Sequence, residues 1–191
     1  MAPHTDDSRF ASGRVCLDLL GTAHPRDLLG TADSLRVWCA AAGLVPDGTP
    51  LDAADRRWLI AFRDLRGQIA VLVRGELAGR PVPAALDRVN AVARPAPPAP
   101  RAVRAADGSL ARALDVAPGL DALLAVVARD AVDLLTDPVA RGRLRQCAGV
   151  RCPRIYLDTS RGGRRRWCSS EVCGNRERVA RHRRRSHPSR A

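Results

Sequence analysis

Cys147, Cys152, Cys168 and Cys173 form two C-x4-C pairs with fifteen residues between them, and any fold of this chain has to satisfy that spacing. A short loop between two cysteines lets both sulfurs point at one tetrahedral ion, and a hairpin in the interval carries the second pair to the first. The first loop holds Gly149 and the second Ser169 and Ser170. Four unrelated buried thiols, or two disulfides, are the alternatives. Symmetric pairing in a chain whose Met1–Phe10 segment carries Asp6 and Asp7, and so reads as no export leader, favours one structural Zn2+ on four thiolates. A rival ligand series, Cys168, Cys173, His182 and His187, has an eight-residue middle gap. That is shorter than the roughly twelve of a two-cysteine, two-histidine finger, and it would strand Cys147 and Cys152.

Charge divides the chain where the cysteines begin. Residues 1–140 carry 16 Arg against 17 acidic residues, whereas residues 141–191 carry 16 Arg against 3. Lysine is absent and alanine abundant, a compositional bias that explains the choice of arginine but not its concentration in one part. Like charges packed this densely repel unless a polyanion neutralises them, which points to nucleic acid. A membrane surface is the weaker candidate, because the tail lacks the apolar face an interfacial helix needs. No run approaches the ~20 apolar residues of a membrane span. The expected location is cytoplasmic, where thiols stay reduced.

Residues 1–138 are expected to form an α+β regulatory domain, mainly helical with a small antiparallel sheet. Val15, Leu17 and Leu19 alternate and predict a strand over Arg14–Leu20, with Asp18 either a buried hydrogen-bonded acid or an outward carboxylate. Thr31 or Asp33 is expected to cap a helix carrying Leu35, Trp38 and Cys39 that stops at Gly43. The strongest helix is expected from near Asp52, with Trp58, Leu59, Phe62, Leu65, Ile69, Leu72, Val73 and Leu77 in helical rhythm, weakened at Gly67 and Gly75. Pro83 opens a helix with Leu86, Val89 and Val92 inward, and Pro95–Pro100 reads as a stiff connector. Asp107-Gly108 between two strand-like runs predicts a hairpin. Pro118 starts a helix striped with Leu120, Leu123, Leu124, Val127, Ala131, Leu134 and Leu135, ended by Asp137-Pro138. Cys16 and Cys39 read as small buried hydrophobes. His24, ahead of Pro25, reads as a loop histidine or a pocket lining, and no catalytic constellation is visible.

Residues 139–191 are expected to form a zinc-stabilised knuckle-and-helix finger. Leu144 and Arg154–Asp158 bracket the first pair, Thr159–Gly163 forms a turn, and Ile155, Tyr156 and Trp167 supply a miniature core that needs the metal as a staple. Stacking of Tyr156 or Trp167 on bases is the functional rival. After Cys173 a helix would stack Arg178, Arg181 and Arg185, with Arg176 on a side with Arg183, and would turn Val179, His182 and Ser186 toward the knuckle. Arg164, Arg165, Arg166, Arg176, Arg178, Arg181, Arg183, Arg184 and Arg185 are the candidate phosphate contacts. Repulsion among them means the helix forms fully only on binding, and a merely solvated tail is the plain alternative.

The run Cys147-x4-Cys152, Tyr156-Leu157-Asp158, Ser160-Arg161, Arg166-Trp167-Cys168-x4-Cys173-Gly174-Asn175-Arg176 resembles the CGNR zinc finger, a bacterial C-terminal module usually preceded by the ABATE domain and grouped with stress-induced transcription regulators. Upstream, Cys16-Leu17-Asp18-Leu19-Leu20-Gly21-Thr22 resembles that family's Leu-Asp-x-x-Asn-Thr segment, with Gly21 in place of asparagine. The resemblance implies that the four cysteines bind zinc and that the finger contacts DNA. A zinc-containing DNA-binding transcription regulator is therefore the expected function, its N-terminal domain sensing a small-molecule effector or forming a homodimer. An RNA-binding or ribosome-associated zinc protein, and a zinc-stapled protein-interaction module, are the alternatives. An enzyme is not expected, since four thiolates close the metal.

Overall fold

Seven helices and two hairpins follow one another in the computed structural model, which describes residues 12–186, with side chains followed as far as Arg183. The helices of the first part are α1 Val15–Gly21, α2 Ala32–Ala41, α3 Arg56–Leu77, α4 Pro83–Ala93, α5 Leu120–Thr136 and α6 Pro138–Gly142. Strands β1 Pro100–Arg104 and β2 Leu110–Leu114 pair between α4 and α5, and β3 Leu144–Gln146 pairs with β4 Ile155–Leu157 after α6. A π-helical turn, Ser170–Gly174, leads into α7, Asn175–Ser186. The mainly helical first part with a small antiparallel sheet, and the hairpin-and-helix second part, are as expected. Among the described residues no helix is long and apolar enough to cross a membrane.

The expected first strand is a helix. Of residues 15–20 only Asp18 is polar, so the run is apolar all round and its alternation carries no real period. Cys16, Leu17 and Leu19 are fully or almost fully buried. A strand there would need a partner for its backbone, whereas a helix pairs its own and needs only a cap. Asp130 of α5 supplies the cap: its carboxylate accepts from the Cys16 amide at 2.9 Å and pairs with the Arg14 guanidinium at 2.8 Å. Asp18 turns out to be half-buried, accepting from the Ser12 amide at 2.8 Å and its hydroxyl at 2.6 Å.

α2 begins as expected, with Thr31 and Ser34 in a reciprocal capping box, and ends just before Gly43, whose φ of +69° suits glycine. α3 starts later than expected, at Arg56, because Asp55 is the cap and accepts from the Trp58 amide. Its stripe from Trp58 to Val73 is buried as read, but Leu77, in the last turn, is exposed. Gly75 has a steric reason that periodicity could not reveal. A Cβ there would lie 2.8 Å from the Arg80 carbonyl oxygen, where the chain folds back toward α4. In α4, Val89 is buried and Val92 packs against the core as expected, but Leu86 is exposed and Ala85 takes the inward place beside it.

α5 carries the most completely buried stripe, with Leu123, Val127, Ala131 and Leu134 at zero exposure. It packs on α1, α3 and α4, and these four helices enclose the core. Asp137 ends α5 and at once caps α6, its carboxylate accepting from Val139 and Ala140. The core does not stop there: Ala140, Leu144 and Ile155 belong to it, and Leu157 packs against it.

Candidate metal centre

β4 holds the key to how the second part is built. Its register pairs Leu144 with Leu157, Arg145 with Tyr156 and Gln146 with Ile155. Successive strand residues face opposite sides. Ile155 and Leu157 therefore join the helical core, while Tyr156, between them, joins a second cluster made of Cys147, Cys168, Cys173, half-buried Cys152 and Trp167. The miniature core thus contains Tyr156 and Trp167 as expected but not Ile155.

The hairpin continues past β3 through bonds from the Cys147 amide to the Arg154 carbonyl and from the Ala148 amide to the Arg166 carbonyl. These place the first knuckle beside the segment carrying Trp167 and Cys168. The knuckle turns tightly: the Cys152 amide donates to the Gly149 carbonyl at 3.0 Å, and Arg151 takes a φ of +61°. Gly149 is needed for space rather than for φ, since a Cβ would lie 3.3–3.4 Å from Cys147 and Cys173 atoms, both sulfurs included. On the other side, Ser169 caps the π-helical turn through its hydroxyl, which accepts from Val172 at 3.2 Å. Cys173 lies in that turn, so whatever binds its sulfur also fixes the start of α7.

The four sulfurs lie within 4.8 Å of one another. Cys152 and Cys168 are 3.7 Å apart and Cys168 and Cys173 3.6 Å. Zinc bonded to four sulfurs at about 2.3 Å sets them roughly 3.8 Å apart. The amides of Gly149 and Cys168 each reach the Cys147 sulfur at 3.4 Å. Burial opposes ionisation of Cys147, but these two amides hold its thiol below the usual value. Burial pushes Cys168 up, reinforced by the Cys152 and Cys147 charges, and takes Cys173 up to about 11. Such a set cannot hold several negative charges by itself, and a bound dication reverses that cost. The cluster fits one structural zinc. The rival series is not assembled: His182 is exposed, and His187 lies outside the described residues.

The nine arginines are not equivalent. Arg164, Arg166, Arg176, Arg178, Arg181 and Arg183 are exposed, with the Arg166 guanidinium 5.3 Å from the Trp167 ring centre. Arg165 is instead built into the finger. Its guanidinium lies 4.7 Å over the Tyr156 ring, Nε donates to the Trp167 carbonyl at 2.9 Å, and another nitrogen donates to the Cys168 carbonyl. Those bonds occupy the donors a phosphate would use. The backbone of α7 runs on to Ser186, but the side chains of Arg184, Arg185 and Ser186 lie outside the described ones. Val179 is 42% exposed, so the stripe expected to face the knuckle is not the inner one. Glu177 and Ala180 are the half-buried positions, and the Glu177 carboxylate accepts from the Val150 amide at 3.4 Å. Glu177 is the single acid of this arginine helix, and that is its trace in the sequence.

Asp158, at the end of the strand-like run, is fully buried and organises the turn. One oxygen accepts from the amide and hydroxyl of Ser160 at 3.0 and 2.6 Å, and the other from the Arg165 amide at 3.0 Å. The Ser160 hydroxyl is the main cause of a pKa below the ordinary carboxylate value. Tyr156 donates its hydroxyl to the Arg165 carbonyl at 2.5 Å. Asp158 and Tyr156 thereby set where Arg165 stacks. The Asp-x-Ser spacing was its legible trace, an acid poised to bond the backbone two residues on.

Residues 13–138 match the family model of ABATE, described as "Putative stress-induced transcription regulator". Residues 143–186 match that of the CGNR zinc finger. No curated protein matches the chain.

Proposed function

Because the chain belongs to the ABATE family of transcription regulators and ends in a CGNR zinc finger, we propose that it binds duplex DNA through the exposed arginines of α7, with Zn2+ held by Cys147, Cys152, Cys168 and Cys173. The observation that carries this reading is that Arg176 and Arg183 on one side of α7, and Arg178 and Arg181 on another, are all exposed on a helix whose start is tied to the cysteine cluster. Zinc holds the two knuckles and the first turn of α7, and the arginines neutralise phosphates. Arg164 and Arg166 extend the basic surface from the neighbouring loop, while Arg165 serves the finger's own structure. Arg184 and Arg185 add to the same basic segment of the sequence. Four thiolates leave no open position on the ion, which supports a role outside catalysis. In this reading residues 1–138 form the regulatory domain, which senses a small ligand or dimerises, and residues 139–191 form the finger.

The test titrates zinc-loaded, nuclease-treated protein with duplex DNA and with RNA across a salt series. About six phosphate contacts on a duplex give a log–log salt slope near −5, and Arg181→Gln lowers it by about one. A slope near zero, or a preference for single strands or A-form RNA, overturns the duplex reading.

A further inference from the structure

α7 is fixed in rotation by the knuckle beside it. Glu177 and Ala180, three residues apart on one side, are its half-buried positions, and the Glu177 carboxylate accepts from the Val150 amide at 3.4 Å. With about 100° between successive residues, the side directly opposite carries Asn175, Val179 and His182, spaced i, i+4 and i+7. All three are exposed. Arg178 and Arg181 bound this strip along one edge, and Arg176 and Arg183 bound it along the other. These four arginines are exposed as well, and none is ion-paired among the described residues.

Neutralising phosphates asks only for positive charge, and a solvated tail asks for nothing. Neither accounts for two arginine edges with a gap between them. The gap holds chemistry of another kind. Val179 is 42% exposed, belongs to neither core cluster and is the one exposed aliphatic side chain of α7 as far as Arg183. A β-branched residue lowers helix propensity, and here no buried contact offsets that cost. Asn175, one turn earlier on the same strip, offers an amide with a donor and an acceptor side by side.

We propose that α7 lies in the major groove of duplex DNA and reads sequence there, Asn175 against an adenine and Val179 against a thymine. Arg178 and Arg181 then meet the phosphates of one strand, and Arg176 and Arg183 those of the other. This rests on the duplex reading above and adds what phosphate contacts lack, a source of sequence preference. A helix with its side chains is about 10–12 Å across and the groove about 12 Å wide, so two basic edges complement the two lines of phosphate that bound it. An asparagine amide matches the N6 donor and N7 acceptor of adenine, and an aliphatic group matches the thymine methyl. Four residues of helix rise about 6 Å, which sets the two bases one or two pairs apart at about 3.4 Å per pair. The deep, narrow major groove of A-form RNA does not admit the same strip.

A pool of random duplexes, selected on the zinc-loaded, nuclease-treated full chain, supplies the probe. We expect enrichment of a site holding adenine and thymine one or two base pairs apart. The selected duplex is then remade with uracil for that thymine, which deletes only the methyl group, and separately with 7-deazaadenine for the adenine, which deletes the N7 acceptor. Uracil should weaken binding by the wild-type chain about fourfold and leave binding by V179A where it was. The altered adenine should weaken wild-type binding about fivefold and leave N175A unaffected. A zinc content of one per chain checks that each variant is folded, and the base replacements test the wild-type chain unaltered. Wild-type binding indifferent to both replacements, sensitivity that persists in the matching variant, or a selection that enriches no sequence overturns the proposal. In the last case a steep salt slope on any duplex leaves the phosphate reading standing. A chain that binds no duplex, or prefers A-form RNA, loses that reading and the base contacts with it.

Discussion

Cys16 and Cys39 lie in the helical core, and Cys147, Cys152, Cys168 and Cys173 lie in the finger, so one residue type serves two opposite ends. Burial alone pushes Cys39 up to about 12 and, with Asp130 adding to it, takes Cys16 higher still. Those two thiols stay neutral and pack like small aliphatic groups. In the finger the sulfurs face one another, receive backbone amides and share a single space an ion can fill. The difference teaches that the first region is held by apolar area and the second by coordination, although one strand runs through both.

Removing zinc separates the two most strongly. Chelation, or Cys173→Ser, is expected to unfold the finger, because structural zinc sites supply on the order of 10–16 kcal/mol. Far-UV circular dichroism should keep most of its helical signal while the near-UV signals of Trp167 and Tyr156 collapse. A finger that keeps those signals without metal would break the comparison. Phe62→Ala acts on the other region. Phe62 is fully buried and meets Trp38 edge-on at 5.9 Å, so its loss should cost about 3–5 kcal/mol in denaturant unfolding. Zinc content of the folded fraction should stay at one per chain.

Smaller effects sharpen the contrast. Tyr156→Phe removes only the bond to the Arg165 carbonyl and should cost about 1 kcal/mol, read as faster zinc release to a chelator with unchanged helical content. Asp27→Asn should cost less than about 1 kcal/mol, since the pair with Arg66 is partly open to water. Its pH signature is distinctive. The Arg66 hydrogen bond lowers Asp27 to about 2, beneath its ordinary value, so its contribution is complete above that value and is lost as pH falls toward about 2. A thermal melt series in acid should therefore show a shallower limb for the asparagine variant.

Local signals carried much of this fold. The capping box at Thr31, the hairpin around Asp107-Gly108 and the stripe of α5 are all where the sequence puts them, because each depends on neighbours in the chain. α1 was misread because its conformation is decided by Asp130, more than a hundred residues away. In the finger the cysteine spacing, the Thr159–Gly163 turn and a helix after Cys173 were legible, but the segment between Cys168 and Cys173 read as a plain loop and contains a π-helical turn. The roles of Arg165 and Asp158 were not, since which arginine stacks on a ring and which faces water is set by a turn that spacing alone does not describe.

Ile155 and Leu157 also bear on how the gene can be cut. A fragment containing only residues 143–186 would bare these two side chains and Leu144, a greasy strip on a small, heavily cationic particle. Such a fragment would bind zinc and still clump, or cling unspecifically to nucleic acid. The finger's fold is therefore completed by the helical core, and moving it by simple fusion would leave that strip uncovered.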